Sequence, residues 1–306
     1  MKVLILGHSS LVRRRVAPAL ESLGATMEIA SRSKPEGRTF DSYDAALRDS
    51  DAPLVYVSTV NSTHEELVEA ALASGRHVVV DKPAALSLDA VRRLASLAAG
   101  ASRLIAEATV WSFHPQIVAA RTLFDEAGSA PQRLVATFSI PPMPPGDFRN
   151  DPALGGGALW DLGPYAVSPG RVFFGAPPAD VIGRSDDNGN VDVAFIALMR
   201  YPGGRSLTGH FGMTTAYVNR LEILGAEMAV ALEPAFTTAA DAVCRLQVNE
   251  RNQRRVVEVA PANSFAHFFA AVFEAIEKNE HAPFAEAMLA DAEVLARLRQ
   301  SCGVSR

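Results

Sequence analysis

Cysteine is almost absent from this chain. Cys244 and Cys302 are its two thiols in 306 residues, too few for a disulfide scaffold, and their positions fit no zinc spacing. The seven histidines are scattered, and no pair has metal-ligand spacing on one helix face, so no metal is expected. Long apolar runs are missing: the longest fall far short of the ~20 residues that span a bilayer. No signal-peptide pattern is visible, since Lys2 leads straight into a strand-like run ending at Gly7. A large excess of one charge is also lacking. The formal net charge is -5, which offers nucleic acid no attraction, and Arg13-Arg14-Arg15 reads as a solvated helix face. The expectation is a soluble, cytoplasmic protein with neither nucleic acid nor membrane as a partner. What is present is apolar material, 48% of residues, enough for a substantial core in two domains.

The first third alternates strand and helix. Residues 2–6 (KVLIL) form an apolar run, and a helical pattern from Leu11 to Leu23 stops at Gly24. Further strands are expected at Met27–Ala30, Leu54–Val57, His77–Val80 and Arg103–Ala106, with helices at Tyr43–Arg48, Ser62–Ser74 and Leu88–Ala99. Uniformly apolar strands between helices predict a doubly wound parallel sheet covered on both faces. The remainder changes character. Strand-like segments at 135–140, 191–200, 205–211, 219–224, 228–232, 245–249 and 256–259 predict a large, mostly antiparallel open sheet, and helices over 264–278 and 284–300 close the chain. The fold class is therefore α/β: a dinucleotide-binding Rossmann domain over 1–110, then an α/β domain over 111–306. The closing helix is a candidate to pack back on the first domain. The sheet face, with apolar strands such as 193–199 and 205–211, needs covering, which predicts a homodimer or homotetramer.

Strand, Gly7, then a helix opening near Ser10 and Leu11 is the recipe for a phosphate site. The helix start offers unpaired N–H groups and partial positive charge. Ser9 stands where the fingerprint has its second glycine, and Ser9 and Ser10 can donate hydroxyls instead. The second strand ends in Ser31-Arg32-Ser33-Lys34 rather than in the acid that binds a free ribose 2′-hydroxyl. An arginine and two hydroxyls suit a 2′-phosphate, hence NADP ahead of NAD. Ser58, Thr59, Asn61 and His64 follow the third strand, where such sheets place ligand loops, although Asn61 or Ser62 could simply cap the next helix. Asp81-Lys82-Pro83 follows the fourth strand.

Gly155 to Tyr165 reads GGGALWDLGPY. Three glycines suit a tight approach to a ligand. If the segment is helical, Asp161 and Tyr165 share a face, though Pro164 should interrupt it. A lysine, a carboxylate and a phenol on separate elements form a plausible set for moving a proton to or from a carbonyl oxygen. The segment 141–157, rich in proline and glycine, is long enough to be a loop over a site. Its Arg149 either meets a polar substrate or pairs with Asp147 or Asp151. Trp160 either lines a nicotinamide pocket or belongs to the core, and His114 orders a turn.

On Asp81-Lys82-Pro83, Thr59–His64, Phe113-His114-Pro115 and GGGALWDLGPY together, the chain resembles the Gfo/Idh/MocA oxidoreductases along nearly its whole length. The resemblance implies a Rossmann domain, an open-sheet domain, NAD or NADP, and sugar or cyclitol substrates. Lys82 matches the lysine of the usual Glu-Lys-Pro motif, with Asp81 in the first place. Tyr165 stands where many members have histidine; the tyrosine form resembles glucose-fructose oxidoreductases, dihydrodiol dehydrogenases and 3-ketosugar reductases. The implied chemistry is NADP(H)-dependent hydride transfer on a sugar or polyol, possibly nucleotide-linked. Tyr165 is then proton donor, Lys82 holds the carbonyl oxygen, and Asp161 orients substrate or Lys82. NAD-assisted glycoside hydrolysis and a non-catalytic ligand-binding descendant are the alternatives.

Overall fold

Val3, Leu4, Ile5 and Leu6 are apolar on both faces and wholly buried, as a strand inside a covered parallel sheet must be. The computed structural model describes residues 1–32 and 37–304. In it β1 (Lys2–Leu6), β2 (Thr26–Ala30), β3 (Leu54–Val57), β4 (His77–Val80) and β5 (Ile105–Glu107) form one parallel sheet in the order β2-β1-β3-β4-β5. Its register aligns Leu6 with Ala30 and Val57, Val57 with Val80, and Val80 with Glu107. The residues that follow the strands therefore share one edge of the sheet. Residues 1–109 and Phe265–Ala292 make up this compact unit.

The second unit spans Val110–Ser264 and the chain from Glu293 onward. It is built on eight strands: β6 (Arg133–Ser139), β7 (Asp180–Asp187), β8 (Asp192–Arg200), β9 (Ser206–Gly212), β10 (Val218–Leu224), β11 (Met228–Leu232), β12 (Cys244–Glu250) and β13 (Gln253–Val259). They run in the order β13-β12-β11-β10-β6-β9-β8-β7, all antiparallel except β6 beside β9. Alternation decides the faces. Phe195, Ala197 and Met199 of β8 point into the core, while Ile196 and Leu198 between them are 54% and 39% exposed.

Three features depart from the sequence reading. β7 was not expected, because its DVIGRSDD is too polar to stand out and it occupies the sheet edge. The helix Pro115–Glu126 was not expected either. His114, read as a turn residue, caps it: Gln116 N–H donates to His114 Nδ1 over 3.1 Å, and Pro115 takes the first position, where no N–H is needed. Third, the Asp161–Tyr165 segment is not one helix. It divides at Leu162 into Ala158–Asp161 and Gly163–Phe174, so Pro164 falls in a first turn and interrupts nothing. Asp161 and Tyr165 thus owe their placement to two helices, not to a shared face.

Candidate functional site

In the first unit the expected cofactor residues collect along the carboxyl edge of the parallel sheet, where open α/β sheets bind ligands. Gly7 follows β1 with φ +106°, and a Cβ there would lie 2.1 Å from the carbonyl oxygen of Ser58. Ser9 Oγ accepts from Val12 N–H over 3.1 Å and lies 2.9 Å from Ser58 Oγ. Ser10 and Leu11 open the helix, and exposed Arg14 donates to Ser10. Ser31 follows β2 and is buried, with Arg38 donating to its carbonyl over 3.3 Å. Exposed Arg32 lies 5.8 Å from the Tyr43 ring centre. Ser33 lies outside the described residues. Arg38 has no local signal in the sequence that ties it to the end of β2.

Ser58 donates to Asp81 Oδ2 over 2.6 Å, and the Tyr56 hydroxyl donates to Oδ1. Burial drives the Asp81 pKa up, against the two hydroxyls that favour the carboxylate. Asp81 is thereby tied through Ser58 and Ser9 to the loop at Gly7. Thr59 accepts from Thr63 over 2.8 Å. Asn61 is buried, and neither helix that begins near it has a side-chain cap. His64 is wholly buried. Its Nδ1 lies 2.8 Å from the Pro83 carbonyl and its Nε2 3.2 Å from that of Thr59. Burial lowers the His64 pKa, and the two carbonyls oppose it. His64 thus braces the turn that carries Lys82. Glu107, the last residue of β5, reaches the same turn and accepts from Ala84 N–H over 2.8 Å. Tyr56 and Glu107 were both missed. The available signals were a phenol in the otherwise aliphatic LVYV and an acid at a strand end.

The second unit holds Arg149, Trp160, Asp161 and Tyr165. Two of the glycines before Ala158 are packed closely against the protein itself. A Cβ on Gly156 would lie 2.5 Å from Arg149 O, and one on Gly157, with φ +111°, 2.5 Å from Asp192 Oδ1. Asp192 accepts from Leu159 N–H over 2.6 Å and so caps the helix Ala158–Asp161 from a neighbouring strand. The Arg299 guanidinium stacks 3.6 Å from the centre of the Trp160 ring, and burial brings its pKa down to about 10. Trp160 is thus packed under a cation. Arg149 Nε donates to Asp161 Oδ2 over 2.8 Å, and its Nη1 lies 3.3 Å from Asp147. Burial works against the guanidinium charge, but the two carboxylates outweigh it and raise its pKa. Of the two partners the sequence offers, Asp147 and Asp151, the first is paired with Arg149, and Asp161 joins it unforeseen. The Tyr165 ring sits among aromatics, 5.0 Å from Phe138 and 5.4 Å from Phe236 between ring centres.

A family model described as an oxidoreductase family with an NAD-binding Rossmann fold matches residues 8–109, and the GFO/IDH/MocA C-terminal domain matches residues 123–231. Among curated proteins, the chain is 30% identical to a dTDP-3,4-didehydro-2,6-dideoxy-alpha-D-glucose 3-reductase of Streptomyces violaceoruber, over 98% of this chain and 95% of that one. It is 27% identical to D-xylose 1-dehydrogenase (NADP(+)) 2 of Haloferax volcanii, over 90% and 89%. Among solved structures, a 3-ketoreductase from Actinomadura kijaniata in complex with NADP and TDP-benzene superposes with a TM-score of 0.90 at 27% identity, covering 98% of this chain and 97% of that one.

Proposed function

The chain belongs to the Gfo/Idh/MocA oxidoreductase family, and from that premise we propose that it moves a hydride between NADP(H) and a sugar or related polyol, nucleotide-linked ketosugars being the first class to test. The observation that carries the reading is the row at the sheet edge. Gly7, Ser31, Ser58 and Asp81 each directly follow a strand whose last residue is in register with its neighbour's. The residues suit a cofactor with a 2′-phosphate. The end of β2 presents Ser31 and Arg32 where a carboxylate would repel one, and Arg38 sits beside them. Held along this edge, NADP(H) would supply or take the hydride.

The protein's own share is binding and proton handling. Gly7 through Leu11 would hold the pyrophosphate with backbone N–H groups and the Ser9 and Ser10 hydroxyls. Ser31, Arg32 and Ser33 hold the adenosine end. The loop of Ser58, Thr59 and Asn61, braced by His64, would line the cofactor site, and Asp81 fixes that loop against the Lys82 turn. Lys82 holds the carbonyl oxygen, and Tyr165 gives the proton in the reducing direction. Asp161 and Arg149, already paired, present one polar surface to the substrate hydroxyls, with Trp160 beside them. The test is NADPH consumption with free and nucleotide-linked ketosugars; turnover with none, alongside tight cofactor binding, would remove the substrate assignment.

Cofactor choice gives a separate prediction. NADPH should bind more tightly than NADH, and Arg32→Ala should erode the preference. A titration of the unmutated protein that shows equal affinities or favours NADH sinks it.

Assembly gives another. The outer face of the second sheet exposes Val135, Ile182, Ile196 and Leu198 beside one another, in a depression also lined by Thr137 and His210. A second copy of the same face is the occupant we propose, making a homodimer or a tetramer built from it. Stable interfaces of this kind persist at micromolar concentration, so light scattering there should give at least twice the monomer mass. A monomer would contradict it. The compartment we propose is the cytoplasm, where the reaction can draw on free NADP(H). No helix among the described residues is long and apolar enough to cross a membrane.

A further inference from the structure

The row of residues at the sheet edge holds one acid that the reading above leaves without a task. Glu107 ends β5, in register with Val80, the residue before Asp81. Its Oε2 accepts from Ala84 N–H over 2.8 Å, and its Oε1 accepts from the Thr109 hydroxyl over 3.2 Å. Ala84 is wholly buried, so its N–H has no water to turn to and depends on this carboxyl. Pro83, just before it, is buried as well, and its carbonyl is held by His64. The three-residue turn Lys82-Pro83-Ala84 is therefore gripped on two sides by side chains from other elements. His64 comes from the helix after β3 and Glu107 from β5. Lys82 is the residue of that turn whose side chain has work to do.

We propose that Glu107 is a positioning residue for Lys82, fixing the turn through Ala84 and supplying a carboxylate whose charge acts on the lysine ammonium. The inference rests on the role proposed above for Lys82. The electrostatics agree with the geometry. Burial pushes the Glu107 pKa from 4.5 up to about 7, Asp291 pushes the same way, and the Ala84 N–H, the Thr109 hydroxyl and the Lys82 ammonium pull it back. Glu107 thus changes charge within the working range of a cytoplasmic enzyme. Ionised, it strengthens the hydrogen bond from Ala84 and favours the charged lysine; protonated, it does neither.

The experiment compares wild type, Glu107→Gln, Glu107→Ala and Lys82→Met, with NADPH and an active ketosugar, from pH 5.5 to 8.5. Glutamine keeps an oxygen for Ala84 N–H but cannot ionise, so it mimics the protonated acid. The ratio of wild-type to Glu107→Gln kcat should grow about five- to tenfold between pH 6 and pH 8.5, a change that a merely structural role would not produce. Glu107→Ala should lose about tenfold or more in kcat and keep its NADPH Kd within about threefold. If that variant fails to fold, Glu107→Gln carries the test.

Melting temperature supplies a readout independent of turnover. A folded-state pKa raised above its unfolded value makes the acid take up a proton on folding between about 4.5 and 7. Its contribution is complete below that window and is lost as pH rises through about 7. Glu107→Gln lacks this loss, so its melting temperature relative to wild type should climb from pH 5.5 to 8.5. A kcat ratio that stays flat with pH, while Lys82→Met is inactive, overturns the inference alone, whatever the melting difference does. So does a Glu107→Ala protein that loses cofactor affinity but not kcat. Full turnover by Lys82→Met overturns the proposed chemistry, and the inference falls with it.

Discussion

Tyr165→Phe should lower kcat by about 10²–10⁴-fold, the usual worth of a positioned general acid, and leave the melting temperature nearly unchanged. The two halves of that expectation have different physical sources. The packing of Tyr165 is done by its ring, which meets Phe138 edge-on and Phe236 at a tilt. Phenylalanine keeps both contacts and removes a single oxygen. If the hydroxyl is the proton donor, the reaction loses its acid while the fold loses almost nothing. Lys82→Met should lower turnover at least as far, because it removes a charge as well as a donor. The double variant should be little worse than the worse single one, since groups that act as a unit are not additive. The bland reading is a core tyrosine whose hydroxyl serves only the local structure. On that reading Tyr165→Phe keeps near-normal kcat and loses a little stability. Measuring kcat and melting temperature on the same samples separates the two, and an unchanged kcat with any active substrate removes Tyr165 from the mechanism.

How much of this was legible in the sequence depended on whether a residue's role left a local trace. The parallel sheet did, because β1, β3 and β4 are buried on both faces and so are apolar at nearly every position. β7 did not: an edge strand with polar residues on its open side lacks that pattern. Gly7, Ser31 and Lys82 stand out in the sequence because strand ends and turns are marked by breaks in hydrophobicity, and they do lie just past β1, β2 and β4. Glu107 was missed by one position. The sequence pattern ends the fifth strand at 106, and only the register with Val80 shows that Glu107 belongs to the edge. Asp192 and Arg299 were invisible for a different reason. Each lies far along the chain from the helix it serves, 33 residues in the case of Asp192 and Leu159, and no local pattern announces such a pairing. The spacing of Asp161 and Tyr165 misled by looking like a helical repeat, whereas a break at Leu162 separates them.

Gly7→Ala should abolish tight NADPH binding and destabilise the protein, whereas Gly24→Ala should do neither to a comparable degree. Both glycines adopt positive φ, +106° at Gly7 and +68° at Gly24, so both substitutions incur backbone strain. At Gly24 that is all, because a Cβ would meet nothing within 4 Å. The expected cost there is about 1 kcal/mol. At Gly7 the Cβ would lie 2.1 Å from Ser58 O and 2.8 Å from Ser58 C, both backbone atoms that no rotamer change can move away. The loop after β1 or the end of β3 must shift, which adds overpacking of about 1–3 kcal/mol to the strain. The shift also has a direction of damage. Ser58 bonds Asp81, and Ser9 rests on Ser58, so displacing either loop disturbs the proposed pyrophosphate site and the Lys82 turn together. NADPH Kd should therefore rise at least about tenfold, worth roughly 1.4 kcal/mol of binding, at a temperature where the variant is still folded. Near-wild-type affinity in folded Gly7→Ala would mean that the loop at Gly7 does not hold the cofactor. Equal losses of stability in Gly7→Ala and Gly24→Ala would mean that the contact with Ser58 costs nothing beyond the φ that both share.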